Sequence, residues 1–198
     1  MIRALLFAFA LTGSASSAAQ AETLRIGTET DYKPFIFHTK SGQRTGFDID
    51  LMGLICRRGS FDCVWDEVGF DQIITGVAQG QFDVSIGGIG TTPQRDLLVD
   101  WTRPYRVIET GTSYFAGFDA DVDVTEARIG VQGETIMENV LADNGYAAIT
   151  FPSNSAVIEA LMAGDVDAIF TTSSYLKQVQ KIMPLIDLGY LSYPHSGP

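Results

Sequence analysis

Residues 80–84 read Gly-Gln-Phe-Asp-Val, and residues 164–168 read Gly-Asp-Val-Asp-Ala. Each stretch follows apolar residues at helical spacing, which are Ile73, Ile74 and Val77 in the first case and Val157, Ala160 and Leu161 in the second. Glycine commonly ends helices, and alternating apolar residues are typical of strands. Each stretch therefore predicts the junction between an amphipathic helix and a strand, with the strands over 82–86 and 166–170.

The repetition extends to the start of each half of the chain. Arg25-Ile26-Gly27 lies in a predicted strand and recurs as Arg128-Ile129-Gly130 at the head of another. Strands that alternate with amphipathic helices indicate α/β sheets with helices on both faces, and the doubling indicates two such lobes. A single α/β domain also repeats these units, so that alternative stays open at this point.

Segment 103–115 is predicted to cross between the lobes, because Pro104 interrupts the helix pattern and β-favouring residues follow it. This divides the chain into the first part of lobe one (22–105), lobe two (106–187) and the start of a return to lobe one (188–198). Ligands of open α/β sheets bind beyond the carboxyl ends of the strands. Two facing lobes joined by such a hinge would therefore place one ligand cleft between them.

The first 21 residues are typical of a secretory signal peptide. They contain a positive residue, Arg3, an apolar run over 4–11, and Ala19-Gln20-Ala21 as a cleavage site. A membrane anchor is disfavoured, because a spanning helix needs about 20 apolar residues. We expect a mature chain that begins at Glu22 and lies in the periplasm.

The charge balance restricts the partners. The formal net charge is -11, and it becomes -12 without the first 21 residues, whose only charged side chain is that of Arg3. Nucleic acids and anionic membranes are bound by clustered Lys and Arg, so such an acidic chain is a poor partner for either. We expect a monomer with a small-molecule ligand.

The only two cysteines, Cys56 and Cys63, lie seven positions apart in a chain predicted to be exported. Oxidation is the default there, so we expect one disulfide. The alternatives are two free thiols or half of a metal site. His38 and His195 lie in Gly-, Ser- and Pro-rich surroundings, and no metal site is predicted.

The segment 87–95, Gly-Gly-Ile-Gly-Thr-Thr-Pro-Gln-Arg, follows a predicted strand. Gly88 and Gly90 let the backbone approach a ligand, and Thr92 can cap a helix whose first turn begins at proline. The amides of that turn and the guanidinium of Arg95 would suit a carboxylate. The alternative is a solvated helix arginine, and the local sequence does not choose between the two.

Other candidate ligand contacts also stand at strand or helix ends. Glu29 and Tyr32 follow the first strand and offer an anionic contact and an aromatic wall. Phe70 precedes a helix, and Glu134 and Thr135 lie in a turn after the strand over 128–132. Each of these can equally be a packed aromatic residue or a solvated polar one.

Enzyme motifs are lacking. The chain has no P-loop, no dinucleotide fingerprint, no helical histidine metal motif and no nucleophile paired with a base. We therefore predict no catalytic residue and no cofactor.

Several segments together resemble family three of the extracellular solute-binding proteins, the polar amino acid group. They are Gly46-Phe47-Asp48-Ile49-Asp50-Leu51 followed by Ile55 and Cys56, Phe82-Asp83-Val84, Thr92-Pro93-Gln94-Arg95, and Asp100-Trp101-Thr102-Arg103-Pro104-Tyr105. The cysteine spacing also resembles that of the lysine/arginine/ornithine- and histidine-binding proteins. The resemblance implies a periplasmic-binding-protein-like α/β fold with mixed sheets.

The resemblance also implies roles for the candidate residues. Arg95 would bind an α-carboxylate with help from Thr135, Tyr32 and Phe70 would sandwich the ligand side chain, and Glu29 would be its acidic contact. The chain would deliver an amino acid or related small polar carboxylate to the permease subunits of an ABC importer.

Three positions depart from the family pattern. Gly90 replaces a hydroxyl residue near the ligand amine, Thr172 replaces the Asp that pairs with that amine, and Glu134 replaces a serine. The main counter-charge for an ammonium group is therefore lost, and either Glu134 supplies it or the ligand lacks a free amine.

Two rival functions remain. Cyclohexadienyl dehydratases resemble the same family, and Glu134 would be the catalytic acid of such an enzyme. A receptor's sensor lobe would need a transmembrane helix.

The chain is also shorter than the family pattern, so we expect the C-terminal part of lobe one to be missing.

Overall fold

The computed structural model describes residues 21–106 and 110–194. Its strands are β1 (Thr23–Thr28), β2 (Asp31–Tyr32), β3 (Ile36–His38), β4 (Arg44–Thr45), β5 (Asp62–Glu67), β6 (Val84–Ser85), β7 (Thr110–Gly117), β8 (Ile129–Gln132), β9 (Ala148–Phe151), β10 (Ala168–Thr172) and β11 (Ile186–Pro194). Its helices are α1 (Phe47–Gly59), α2 (Phe70–Ala78), α3 (Pro93–Asp96), α4 (Ile136–Asp143), α5 (Asn154–Ala163) and α6 (Ser173–Val179). Residues 1–20 of the predicted signal segment, residues 107–109 of the predicted crossing and His195 lie outside the described residues.

The part of the chain before Thr110, here called the first lobe, is built on a parallel sheet of order β5-β1-β6. Strand β1 lies in the centre because its apolar side chains are buried, Ile26 completely. The predicted disulfide is confirmed: Cys56 on α1 is bonded to Cys63 on β5, beside the buried Met52. It fixes α1 to the edge strand of this sheet.

The part from Thr110 onwards, here called the second lobe, contains a five-stranded sheet of order β11-β7-β10-β8-β9. Strands β8, β9 and β10 are parallel, whereas β7 and β11 are antiparallel to their neighbours. Successive residues of β10 point to opposite faces, so that Ile169 packs with α5 and α6 and Phe170 packs with α4. The predicted α/β class with mixed sheets is confirmed.

The sequence repeat has a structural counterpart. The guanidinium of Arg25 donates to Asp83 and to the carbonyl of Gly80, and the Asp83 carboxylate also accepts the backbone N–H of Arg25. Arg128 makes the same set of bonds to Asp167 and to the carbonyl of Gly164. In both lobes, the same contact thus joins the start of an interior strand to the helix end and loop that precede its neighbouring strand.

The two repeated strands begin later than predicted. Strand β6 covers only 84–85 and β10 begins at Ala168. In each case the residues before the strand form the loop whose aspartate bonds back to the arginine at the start of the neighbouring parallel strand, β1 or β8. Phe82 is instead buried between Gly27 and Gly76.

The second lobe's outer strands run together along their whole length. Strand β11 pairs with β7 from Ile186 opposite Gly117 to Pro194 opposite Thr110, with a register shift between Asp187 and Gly189. Residues 188–194 therefore belong to the second sheet, and their far end lies beside the start of β7. The predicted domain boundaries remain a prediction. None of the helices in the described ranges is long and apolar enough to cross a membrane.

The Phe82 contact predicts an unusual response to glycine-to-alanine substitution. A methyl group at Gly76 on α2 would overlap the Phe82 ring, whereas at Gly53 on α1 its nearest neighbour is the flexible end of Arg57 at 3.4 Å. We expect G76A to lower the free energy of unfolding by about 1–3 kcal/mol through overpacking. The control G53A should raise it by up to about 1 kcal/mol through helix propensity. Urea denaturation checks both, and stabilisation by G76A would contradict the packing.

Candidate ligand-binding cleft

A small, partly open cavity of about 40 Å³ lies between the two lobes. Its lining comes from the ends of strands and starts of helices in both lobes: Glu29, Tyr32, Phe70, Gly87, Gly88, Gln132, Met137, Asn154, Thr171 and Thr172. Five of the sequence-predicted site residues therefore converge here, namely Glu29, Tyr32, Phe70, Gly88 and Thr172. The carboxyl ends of the parallel pairs β1/β6 and β8/β10 face each other here and bring these segments together.

Glu29 is the acid of this cavity, and it is only 5% exposed. Gln132 Nε2 of the second lobe donates to its carboxylate at 3.0 Å, and Asn154 Nδ2 donates to the Gln132 side-chain oxygen at 2.8 Å. Burial raises the pKa of Glu29 to about 7; the bond from Gln132 lowers it, and the charges of Asp31 and Asp48 raise it further. The closed cleft therefore favours a neutral Glu29.

A second set of bonds also joins the lobes beside Glu29. Asn154 Nδ2 donates to the backbone carbonyl of Asp31 at 3.1 Å, and the backbone N–H of Ser155 donates to the Asp31 carboxylate. Both donors lie at the start of α5. The Ser155 N–H is available for this bond because the first backbone N–H groups of a helix have no partner within the helix. The start of α5 thus covers β2 of the first lobe.

Arg95 closes the rim of the cleft. The hydroxyl of Thr92 caps α3 and accepts the backbone N–H of Arg95 at 3.2 Å, as the sequence predicts for a cap. The guanidinium donates to the carbonyl of Gly90 at 2.7 Å and, across the cleft, to the carbonyl of Glu134 at 2.8 Å. It also lies over the Phe70 ring at 5.5 Å, and burial lowers its pKa. Arg95 is therefore a partly buried bridge between the lobes and not a solvated helix arginine.

The remaining predicted residues lie at this rim and do not line the small cavity. Glu134 is exposed, has a positive φ of 59°, and donates its backbone N–H to Glu138 at 2.7 Å. Thr135 is buried, and its hydroxyl donates to the Gln132 carbonyl at 2.8 Å. Gly90 faces Ile136 so closely that a side chain at position 90 would meet it in this closed form.

Several cavity residues were missed by the sequence reasoning. Gln132 ends β8, Asn154 begins α5 and Thr171 lies near the end of β10. The carboxyl-end rule that selected Glu29 would also have selected Gln132 and Thr171. Asn154 and Met137 gave no local signal, because uncharged side chains near helix starts are common.

The partly exposed Tyr105 and the buried Asp48 form a hydrogen-bonded pair that supports the glycine loop. The hydroxyl of Tyr105 accepts the backbone N–H of Gly88 at 3.1 Å and donates to the fully buried Asp48 at 3.0 Å. Burial, the largest cause, raises the pKa values of both Asp48 and Tyr105. Gly88 has a positive φ of 62°, and a side chain there would meet Tyr32. The pair therefore helps to hold the loop in a conformation that suits glycine.

A larger groove of about 580 Å³ lies on the first lobe alone, between residues 74 and 106. It runs beside β6 and is bordered by apolar side chains that include Ile74, Val77 and Trp101. Because every lining residue belongs to one lobe, this groove is not the cleft between the lobes, although both include Gly88.

Two α/β lobes that meet around a small cavity define a two-lobed protein of the periplasmic-binding-protein fold. The model of the bacterial extracellular solute-binding proteins, family 3, matches residues 24–120. The L-arginine-binding protein of Pseudomonas aeruginosa is 30% identical over 185 residues, covering 88% of this chain and 70% of the relative. This chain belongs to that solute-binding family.

Two further similarities point the same way. The arginine-binding periplasmic protein of Mannheimia haemolytica is 32% identical over 154 residues, which cover 77% of this chain and 63% of that relative. A periplasmic His/Glu/Gln/Arg/opine family-binding protein from Silicibacter pomeroyi, solved with lysine, is 27% identical with a TM-score of 0.79. That match covers 87% of this chain and 79% of the solved one. The chain thus spans about three fifths of the Mannheimia relative's length.

The hydrogen bond from the Tyr105 hydroxyl to Asp48 predicts that loss of this hydroxyl changes the stability of the protein. The variant Y105F leaves Asp48 without its phenol donor, so we expect the free energy of unfolding at neutral pH to fall by about 1–3 kcal/mol. Adding D48N should recover part of the loss, because an amide is cheaper to bury than a carboxylate. The control Y190F changes a tyrosine that is 63% exposed. Urea denaturation measures all three, and equal effects of Y105F and Y190F would contradict the role of the pair.

Proposed function

We propose that this protein is the periplasmic solute-binding component of an ABC importer and that it closes its two lobes on an amino acid with a cationic side chain. The observation that carries the proposal is Glu29, a buried carboxylate in the wall of a cavity built by both lobes. The lining of this cavity comes from residues far apart in the sequence, as expected for a ligand site between two lobes.

The cavity wall suits a flat or elongated cationic group. Tyr32 and Phe70 supply aromatic surface, and Glu29 supplies one negative charge when ionised. Arginine- and lysine-binding names among the relatives support the same ligand class. The guanidinium or ammonium group would bind Glu29 between the two rings.

The α-carboxylate would bind at the Arg95 rim. The Arg95 guanidinium carries five N–H donors and donates one bond to the Gly90 carbonyl and one to the Glu134 carbonyl, so a carboxylate can add to or replace these contacts. Thr135 lies next to Glu134 at the start of α4 and completes this end of the site. The ligand amine would take its counter-charge from Glu134, because Thr172 lacks the charge of an aspartate.

Closure would follow from contacts that exist only when the lobes meet. Arg95 to Glu134, Gln132 to Glu29 and Asn154 to Asp31 each join the first lobe to the second. A ligand that contacts both lobes adds to this set and shifts the population towards the closed form. The closed form of a monomer would then dock on the permease subunits in the periplasm, after removal of a signal peptide.

The rival proposal is a cyclohexadienyl dehydratase-like enzyme with Glu134 as its acid. Glu134 is exposed at the rim and is not part of the cavity wall, which argues against a desolvated catalytic acid at this position. The relatives compared above are named as binding proteins. We therefore favour binding without turnover.

Thermal melting of residues 22–198 with L-arginine, L-lysine, L-histidine and L-glutamine tests the proposal. A ligand that binds only the native state raises the midpoint, and we expect arginine or lysine to raise it most. R95A should reduce the affinity for arginine at least tenfold, because it removes the charged rim donor. The control R58A removes an exposed arginine of α1 and should leave the shift intact.

Two results would overturn the proposal. The ligand site would be wrong if R95A and R58A lowered the arginine-induced shift equally. Release of product from prephenate or arogenate by the wild-type chain, lost in E134Q, would instead establish the enzyme.

A further inference from the structure

Glu29 is buried in the closed cleft without a cationic partner among the groups that act on it most strongly. These are the amide of Gln132 on β8 and the carboxylates of Asp31 on β2 and Asp48 on α1. The phenol of Tyr175 on α6 also faces Glu29. Arg95, the cation that bridges the rim, is turned to the carbonyls of Gly90 and Glu134. An ionised Glu29 is therefore uncompensated when the lobes meet.

The second lobe contributes to this burial. Gln132 covers the Glu29 carboxylate with a bond at 3.0 Å, and Asn154 holds the Gln132 side chain in place with a bond at 2.8 Å. When the lobes separate, Glu29 loses this cover and water can solvate its charge. The cost of the uncompensated charge thus belongs to closure and not to folding of the first lobe.

We propose that the cleft closes only when Glu29 is neutralised, either by a proton or by a cationic group of the ligand, so that pH selects which ligands the lobes close on. This inference rests on the proposed function and adds a rule of selectivity to it. Neutral ligands close the cleft only with proton uptake, whereas cationic ligands need none.

The sign of the pH dependence follows from linkage. Burial raises the pKa of Glu29 to about 7 in the closed form, and solvation in the open form returns it towards the ordinary carboxylate value. Closure on a neutral ligand is thus most favourable when the pH lies below the ordinary pKa of a glutamate carboxyl group. The favourable free energy of proton uptake is lost as the pH rises through about 7. A ligand cation holds Glu29 ionised in the closed form, so closure on it does not change with pH above the ordinary carboxylate range.

L-arginine and L-citrulline form a matched pair of probes, because citrulline carries a neutral ureido group in place of the guanidinium. Titration calorimetry at pH 5.5 and 8.5 should show citrulline binding about 30-fold more tightly at the lower pH. Arginine should bind within about twofold at both. In E29Q the citrulline dependence should vanish, and arginine should weaken at both pH values. The control E159Q removes an exposed acid of α5 and should behave as wild type.

The outcomes separate this inference from the proposed function. Binding of both probes with the same pH dependence, or a citrulline dependence that survives in E29Q, would overturn the inference and leave amino acid binding in place. If neither probe binds at either pH, the proposed ligand class is wrong.

Closure can then be followed without ligand by spin labels at L54C and M162C, two exposed helix positions in different lobes. Wild type should be more closed at pH 5.5 than at 8.5, E29Q should be closed equally at both, and no difference in wild type would overturn the inference.

Discussion

A carboxyl group held out of water between two lobes is the constraint on which this molecule depends. Glu29 stands at the end of the central strand of one sheet, and the side chains that cover it come from the other lobe. The charge of such a group has to be compensated, and neutral amides compensate it only in part. The cleft is therefore sensitive to whatever positive charge enters it.

The folding of each lobe serves this arrangement by fixing where strands begin and end. In each lobe, the arginine at the start of an interior strand bonds to an aspartate and to a glycine carbonyl of the neighbouring unit. These contacts lie near the amino ends of the strands, and the cleft lies at the opposite, carboxyl ends. The carboxyl ends are left to carry Glu29, Gln132 and the glycine loop, and packing beneath that loop by Tyr105 and Asp48 keeps it in place.

Much of the fold could be predicted from the sequence because its signals are local. Glycines end helices, apolar residues repeat with helical spacing, and the arginine-initiated strands recur, so the two-lobed α/β architecture followed. The cleft was predicted less well. Arg95 could be placed at a helix start, but its bridge to the Glu134 carbonyl joins residues 39 positions apart. The contact of Gln132 with Glu29 spans 103 positions, and no local pattern encodes it. The strands at 84–85 and 168–172 were shorter or later than predicted, since aspartate side chains in the loops compete for the backbone groups of the neighbouring strand.

The two outermost strands of the second sheet have a mechanical consequence. Strands β7 and β11 are hydrogen-bonded side by side, with Thr110 opposite Pro194 at the end where β7 starts after the first lobe. A ladder of this kind strongly resists sliding of one strand past the other, because sliding breaks many bonds at once, but it bends and twists at small cost. We therefore expect a force on this end of the β7–β11 pair to be shared by the whole ladder, so that the second lobe moves as a unit. The pair of strands β7 and β11 is therefore stiff along the strand direction and bends easily perpendicular to it.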